Sequence, residues 1–196
     1  MTIPDENIQN TPTWRSVTAI HRLGQDHDID QRGLEVAEEI PLAIHYSGIA
    51  HAVMMATPLD LEDFAVGFSL AEGIIRALPD IKEVNATRRD QGINLEIALA
   101  PAALHRFLQH HRRRSLRGHT SCGICGVEDL PDLPAPKSSV PPARSISPVA
   151  LQRALKGLRA LQPLGARTHG AHAAAWVKLA GELALVREDR PAQCAG

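Results

Sequence analysis

The chain has 196 residues, of which 44% are hydrophobic and 22% are charged, enough apolar content for one folded core or a core with a small lobe. A formal net charge of −1 and an aromatic content of 3% argue against binding to nucleic acid or to an anionic membrane. No stretch approaches the ~18 uninterrupted apolar residues of a membrane span, the N-terminus carries no apolar leader core, and three cysteines are too few for a disulfide framework. We therefore expect a cytoplasmic protein with reduced thiols, and neither nucleic acid nor a membrane as its partner.

The N-terminal residues 1–35 show no hydrophobic periodicity, which predicts a mobile arm with one short strand around residues 16–20. From Glu38 onward, apolar side chains alternate with other side chains on both sides of the turn residues Ser47-Gly48. This pattern predicts a β-hairpin at the start of a lobe that spans residues 36–128.

The rest of this lobe is predicted to contain a helix, a second hairpin and a further helix. Thr57 is placed as an N-cap and Pro58 at the first helical position, and Gly73 ends that helix. Strict alternation up to Leu99, after an Arg-Asp-Gln-Gly turn, predicts the second hairpin. Pro101 then opens a helix with a basic outer face, which leads into a loop with two cysteines.

The C-terminal part of the sequence begins with a proline-rich stretch, residues 129–147, which is predicted to be a loop. Ser147 before Pro148 predicts a helix N-terminus, and two strands around Ala180-Gly181 complete the segment 148–196. Hairpins that alternate with helices favour an α+β or layered α/β/α domain. The leucines expected to face its core from the helix are Leu151, Leu155 and Leu158.

The chemistry of the chain depends on SCGICGVE, in which two of the three cysteines lie three positions apart. A structural zinc site needs about four ligands. The third cysteine, Cys194, lies two residues from the end in a segment with no sign of order, so a zinc site would need His119 or His172 to reach the pair in space. A zinc deaminase would need His-x-Glu upstream and a proline where Ser121 stands. The glycine after each cysteine argues against the helix N-terminus that a thioredoxin-type redox pair requires.

A mobile cysteine loop is better suited to carrying sulfur. A thiolate that accepts sulfur as a persulfide must reach a donor enzyme and then deliver the sulfur elsewhere, and a neighbouring thiol can release that sulfur by thiol exchange. The adjacent run HHRRRSLRGH supplies positive potential that favours the thiolate. A solvated basic helix end and a purely structural cysteine pair remain alternative interpretations of these residues.

Five stretches of the sequence, in order, form a recognisable set: EEIPLAIHYSG, TPLDLEDFAVGFSLAEGII, SCGICGVEDL, THGAHAAAW and LALVRED. Together they resemble the FdhD family, the formate dehydrogenase accessory sulfurtransferases. The second and third stretches are the most specific, and the resemblance extends from Glu38 to Asp189. It implies a cytidine deaminase-like, layered α/β/α domain with an N-terminal hairpin-helix-hairpin lobe, homodimeric when full length.

The resemblance also implies a function and a set of site residues. Such a protein takes sulfur from a cysteine desulfurase and transfers it to the molybdenum bis(molybdopterin guanine dinucleotide) cofactor of formate dehydrogenase, with Cys122 carrying the persulfide and Cys125 as its partner thiol. The cofactor is a bound client, and no stably bound metal is expected. Thr168, Gly170 and His172 are expected to form a wall of the cofactor pocket, although a tight turn entering a strand would explain them equally well.

One departure from the family concerns this last motif. The family usually has Thr-Gly-Gly-x-His where this chain has Thr-His-Gly-Ala-His, so His169 replaces the first glycine. If that position requires a positive φ angle, the turn is strained in this chain, because only glycine adopts such angles freely.

The second departure is the end of the sequence. The family continues Val-Gly-Arg-His-Asn-Ala-Leu-Asp after Asp189, whereas this chain reads RPAQCAG. A shifted reading of codons for the family residues encodes these same amino acids, so we hypothesise a frameshift after Asp189 that makes Cys194 an out-of-frame by-product. The main cofactor site would then lie beyond Gly196, and the activity of the truncated chain is in question. The competing interpretations are a non-catalytic cofactor- or protein-binding module and a structural zinc-binding protein.

Overall fold

The computed structural model describes residues 12–23, 28–111 and 145–189 of the chain. These residues group into two compact units, one built from 42–54 and 61–111 and the other from 12–41, 55–60 and 145–189. Both units mix helices with β-strands, so the fold is of the mixed α/β class. In these ranges, no helix has the length and apolar character needed to cross a membrane.

The described chain forms eight strands and four α-helices. They are β1 Trp14–Leu23, β2 Asp28–Ala37, β3 Ile40–Tyr46, β4 Ile49–Ala56, α1 Leu61–Ala71, β5 Ile81–Arg89, β6 Gly92–Leu99, α2 Pro101–His111, α3 Pro148–Leu158, α4 Pro163–Thr168, β7 His172–Val177 and β8 Leu183–Asp189. Short 3-10 turns precede β5 and follow α3.

A four-stranded sheet in the order β4-β3-β6-β5 carries the core of the first unit. The predicted turn between β3 and β4 is confirmed: Ser47 and Gly48 adopt φ angles of 49° and 80°, as a two-residue hairpin turn requires. The second predicted hairpin is also confirmed, since β5 and β6 pair antiparallel, while β6 pairs parallel to β3. Alternate side chains of these strands are buried, including Leu42, Ile44, Leu95 and Ile97.

Tyr46 lies at the centre of this core and is fully buried. Its hydroxyl is 2.8 Å from the Ser69 hydroxyl, which donates in turn to the Ala65 carbonyl of α1. Because Ser69 has one hydroxyl proton, the Tyr46 hydroxyl is the donor of the first bond. The Tyr46 ring also packs against His51 and Phe107, with centroid distances of 5.2 and 5.1 Å. Burial raises the pKa of Tyr46 from 10.0 to about 12.

We therefore expect alkaline pH to destabilise the first unit through Tyr46. Burial favours the neutral Tyr46 hydroxyl in the folded state and not in the unfolded state. The resulting contribution to the free energy of unfolding is complete below pH 10 and is lost as the pH rises from 10.0 to about 12. Within that window the free energy of unfolding should fall by about 1.4 kcal/mol per pH unit from this group alone. Urea unfolding at a series of pH values would measure it, with Tyr46→Phe as the comparison. A difference between wild type and Tyr46→Phe that stays constant up to pH 12 would contradict the assignment.

The second unit contains a long antiparallel ladder, in which β1 pairs with β2 from Trp14–Ala37 to Leu23–Asp28. The sequence predicted only a short strand at residues 16–20, which lies within β1. The ladder escaped detection because its described residues lack apolar alternation, whereas backbone pairing needs none. Arg167 of α4 attaches to this ladder: its guanidinium donates to Glu35 at 2.9 Å and stacks 3.7 Å above the Trp14 ring.

Helix α1 begins at Leu61, later than the predicted start at Pro58. Asp60 has a φ angle of +49°, which is incompatible with a continuing right-handed helix, so Thr57 and Pro58 precede the helix and do not cap it. The predicted C-terminal limit is confirmed, since the helix ends at Ala71, before Gly73.

Helix α3 is capped as predicted, with the Ser147 hydroxyl accepting a hydrogen bond from the Ala150 N–H at 3.1 Å. The predicted apolar face is wrong, however, because Leu151 and Leu155 are 47% and 61% exposed. Ala150 and Ala154 are the residues of this helix that are buried. Their small side chains let the turn between β7 and β8 approach closely, and any Cβ at the turn residue Gly181 would overlap the Ala150 carbonyl.

Candidate functional site

The sequence-predicted sulfur-carrying residues, Cys122 and Cys125, lie outside the described residues, as does Cys194. What the structure describes is the helix that leads towards them along the chain, α2, which ends at His111. Helix α2 is thus the last described element before the cysteine pair in the sequence.

Helix α2 is held to the first unit by both packing and charge. Ala103 and Phe107 are buried at 0% and 4% exposure. On another part of the helix, the Arg106 guanidinium donates to the Asp80 carboxylate at 2.6 Å. A backbone N–H bond from Arg76 and the nearby Arg106 charge lower the pKa of Asp80, which keeps this carboxylate ionised as the partner of Arg106.

The predicted cofactor wall is a turn that joins α4 to β7. Thr168 is the last residue of α4, Gly170 is an exposed residue of the turn, and His172 is the exposed first residue of β7. The Thr168 hydroxyl donates to the Leu164 carbonyl at 2.8 Å and accepts from the Gly170 N–H at 3.4 Å. The Thr168 hydroxyl and the Gly170 N–H are thus bonded within the turn, whereas the side chain of His172 is exposed.

His169 ends α4 in the left-handed conformation, with φ 53° and ψ 16°, and its N–H donates to the Gly165 carbonyl at 2.9 Å. The strain predicted for a histidine at this position is therefore confirmed. Glycine is the usual residue at such a helix end, and an L-residue there costs about 1 kcal/mol.

Glu188 of β8 caps the N-terminus of α4, the helix that precedes this turn. Its carboxylate, which is 6% exposed, accepts hydrogen bonds from the N–H groups of Leu164 at 2.9 Å and Gly165 at 2.7 Å. These are the second and third residues of α4, the N–H groups that an N-cap side chain normally binds. Gln162, at the N-cap position, makes no such bond. Glu188 therefore supplies the N-terminal cap of α4 that the side chain of Gln162 does not supply.

The two residues that flank Glu188 bind the segment before α1. The Arg187 guanidinium lies 3.2 Å from the Asp60 carboxylate, and Asp189 accepts a hydrogen bond from the Thr57 N–H at 3.0 Å. Since successive side chains of a strand point to opposite faces, Glu188 reaches α4 on one face while its neighbours reach residues 57–60 on the other.

The stretch LALVRED was recognised in the sequence as a family motif, but no role was predicted for its charged residues Arg187, Glu188 and Asp189. The available signal was three consecutive ionisable residues at the end of an apolar strand, a place where charge is retained only if it has partners. Their partners are far away in sequence, and for that reason the contacts were not predicted.

In the described ranges, no group of three or more His, Cys, Asp or Glu side chains comes together as a metal site. This finding does not extend to residues 112–144, where the cysteine pair lies.

Comparison with known proteins agrees with these motifs. A model of the FdhD/NarQ family matches residues 37–190. A protein named sulfur carrier protein FdhD, from Cupriavidus necator, is 46% identical over 158 residues, which cover 79% of this chain and 53% of that protein. The chain thus spans about half the length of that curated relative.

The fold is also found among solved structures. The crystal structure of a proposed formate dehydrogenase accessory protein from Desulfotalea psychrophila superposes with a TM-score of 0.58 at 20% identity, and covers 91% of this chain and 63% of that one. At this identity the likeness concerns the mixed α/β fold alone. Since the family match includes most of the chain and all the described site residues, this chain belongs to the FdhD/NarQ family.

Proposed function

We propose that this chain is a sulfur carrier that serves formate dehydrogenase, accepting sulfur on Cys122 from a cysteine desulfurase and transferring it to the molybdenum bis(molybdopterin guanine dinucleotide) cofactor. The observation that carries the proposal is the 46% identity with a protein named sulfur carrier protein FdhD. The Cys-x-x-Cys pair also supports the proposal, because it provides the two thiols that the reaction needs.

The transfer is two thiol exchanges. In the first, the Cys122 thiolate attacks the terminal sulfur of the desulfurase persulfide, the sulfur–sulfur bond of the donor breaks, and the desulfurase thiolate leaves. In the second, the Cys125 thiolate attacks the Cys122 sulfur and the terminal sulfur leaves as hydrosulfide for the client cofactor. A disulfide remains between the two cysteines, and a dithiol reductant restores both thiols. The reducing cytoplasm is the compartment in which this cycle would run.

The described structure supports the proposal at the base of the cysteine segment. Helix α2, the last described element before the cysteines in the sequence, is fixed by buried side chains and by the Arg106–Asp80 pair. The basic run HHRRRSLRGH continues from this helix towards Cys122 and supplies the positive potential that favours a thiolate.

For the client cofactor we propose the turn with Thr168, Gly170 and His172 as part of the binding wall. The exposed ring of His172 can donate to the oxygen-rich surface of a guanine dinucleotide, and Gly170, which is exposed and has no side chain, lets that surface approach the turn closely. Thr168 acts indirectly, because its hydroxyl is bonded within the turn. The same proposal includes a cytidine deaminase-like layered arrangement and a homodimer for the full-length protein.

The proposal is tested by loading the purified chain with sulfur. The chain is incubated with a cysteine desulfurase and cysteine, alkylated, digested and analysed by mass spectrometry. One additional sulfur on the peptide with Cys122 is the expected result. Its absence, under conditions that load an FdhD relative of full length, would contradict the sulfur-carrier function and favour a non-catalytic binding module. Near-stoichiometric zinc in the purified protein would instead favour a structural metal site.

A further inference from the structure

The second unit contains a cavity that the proposed function does not use. It has a volume of about 300 Å³ and lies between the end of α3, α4 and the turn after α4. Leu155 and Leu158 provide apolar walls, and Arg159, Gln162 and His169 provide polar ones. Its lining residues His169 and Ala171 alternate along the chain with Thr168, Gly170 and His172, so the cavity borders the same turn as the proposed cofactor wall but is lined by other side chains.

The polar side of the cavity carries one cation, Arg159, which is exposed to solvent, as is His169. Neither Arg159 nor His169 forms a side-chain hydrogen bond or ion pair with another described residue. The carboxylate of Glu188 comes near the lining residue Gly165, but it is directed at the N–H groups that begin α4. Arg159 thus places a full positive charge on the cavity wall. Its guanidinium offers the planar pair of donors that binds phosphate or carboxylate groups.

The histidine in this cavity is held in a strained conformation. A glycine would adopt the φ angle of 53° at position 169 without cost, yet the chain places an imidazole there, at the rim of the cavity. Backbone strain that is retained at a pocket is a recognised mark of a functional residue. A ring nitrogen of His169 can donate a hydrogen bond to the same anion as Arg159.

We propose that this cavity binds a small molecule with one anionic head group, a phosphate, sulfate or carboxylate, on a compact apolar body. Arg159 and His169 bind the anion, and Gln162 adds an amide donor. Leu155, which is 61% exposed, and Leu158 contact the apolar body. The volume of about 300 Å³ lies at the lower end for small-molecule sites and fits a ligand of one ring. The site does not depend on sulfur transfer.

Calorimetric titration of the full chain with phenyl phosphate tests the proposal. We expect saturable binding to wild type, binding about tenfold weaker in Arg159→Gln because a charge-assisted contact is lost, and unchanged binding in Lys156→Gln. Lys156 is the matched control, since it is a cation on α3 that does not line the cavity. Absence of binding to wild type, or equal binding to all three chains, would overturn the proposal.

Two further measurements separate the parts of the site. His169→Gly should raise the thermal midpoint of unfolding by relieving strain and at the same time weaken phenyl phosphate binding, whereas a purely structural histidine would leave binding unchanged. Inorganic phosphate should bind more weakly than phenyl phosphate, because it makes no contact with the leucines. Equal affinity for both would overturn the apolar part of the proposal.

Discussion

Glu188→Ala is expected to lower the free energy of unfolding of the second unit by about 3 to 4 kcal/mol. The substitution removes two charge-assisted hydrogen bonds and leaves the N–H groups of Leu164 and Gly165 without acceptors, the first of them in a buried position. Helix α4 has six residues and cannot hold its own first turn, since an isolated helix of that length is unstable in water. Loss of the cap should therefore melt α4 and release the turn that follows it.

Urea unfolding followed by circular dichroism would measure this effect. Glu182→Ala is the matched control: the side chain of this glutamate is 64% exposed on the same hairpin and forms a surface ion pair with Lys178, so we expect a change of no more than about 0.5 kcal/mol. Glu188→Gln keeps the shape and one acceptor oxygen, and should fall between wild type and Glu188→Ala. If Glu188→Ala were as stable as Glu182→Ala, the capping role would be wrong.

Cys122→Ser is expected to reduce sulfur loading to background, a loss of at least about a hundredfold, because a serine hydroxyl is not ionised at neutral pH and cannot form a persulfide. The measurement is the persulfide-mapping experiment with desulfurase and cysteine. This prediction rests on the proposed sulfur-carrier function.

The other two cysteines serve as internal controls for this experiment. Cys125→Ser should still load Cys122 but should keep the sulfur longer, since the thiol that would release it is missing. Cys194→Ser should load as wild type does. Full loading in Cys122→Ser would mean that another cysteine carries the sulfur, and would overturn the assignment.

The parts of the fold that were predictable are those in which local pattern and tertiary contact agree. Both hairpins of the first unit were predicted because their buried side chains, such as Ile44 and Leu95, alternate along the strand. The cap of α3 was predicted because Ser147 and Pro148 are adjacent in sequence, and a cap of this kind is a local interaction.

The parts that were not predictable depend on residues far apart in sequence. The start of α1 was misplaced because the chain before it is bound by Arg187 and Asp189, and no local signal reports such contacts. The buried face of α3 was misassigned for a related reason: the hairpin that packs on it requires small residues, so the alanines are buried and the larger leucines are exposed.

The residues of the candidate site were predictable from the sequence motif, but their contacts with other strands and helices were not. The strain at His169 followed from one substitution in a short turn, and the structure confirms it. The cap from Glu188 did not follow, because helix α4 has only six residues, too few for a hydrophobic period, and its cap comes from another strand.

The three charged residues at the end of β8 also have a consequence for synthesis on the ribosome. The contact between Thr57 and Asp189 joins residues 132 positions apart, as does the contact between Glu35 and Arg167. The first unit is built from residues 42–54 and 61–111, so it has its partners early in translation. In the second unit, residues 12–41 are synthesised first and can complete their contacts only after β8 has left the exit tunnel. At about 5 to 20 residues per second, the synthesis of residues 42–189 takes roughly 7 to 30 seconds, during which the earlier strands lack their final contacts and can be bound by a chaperone.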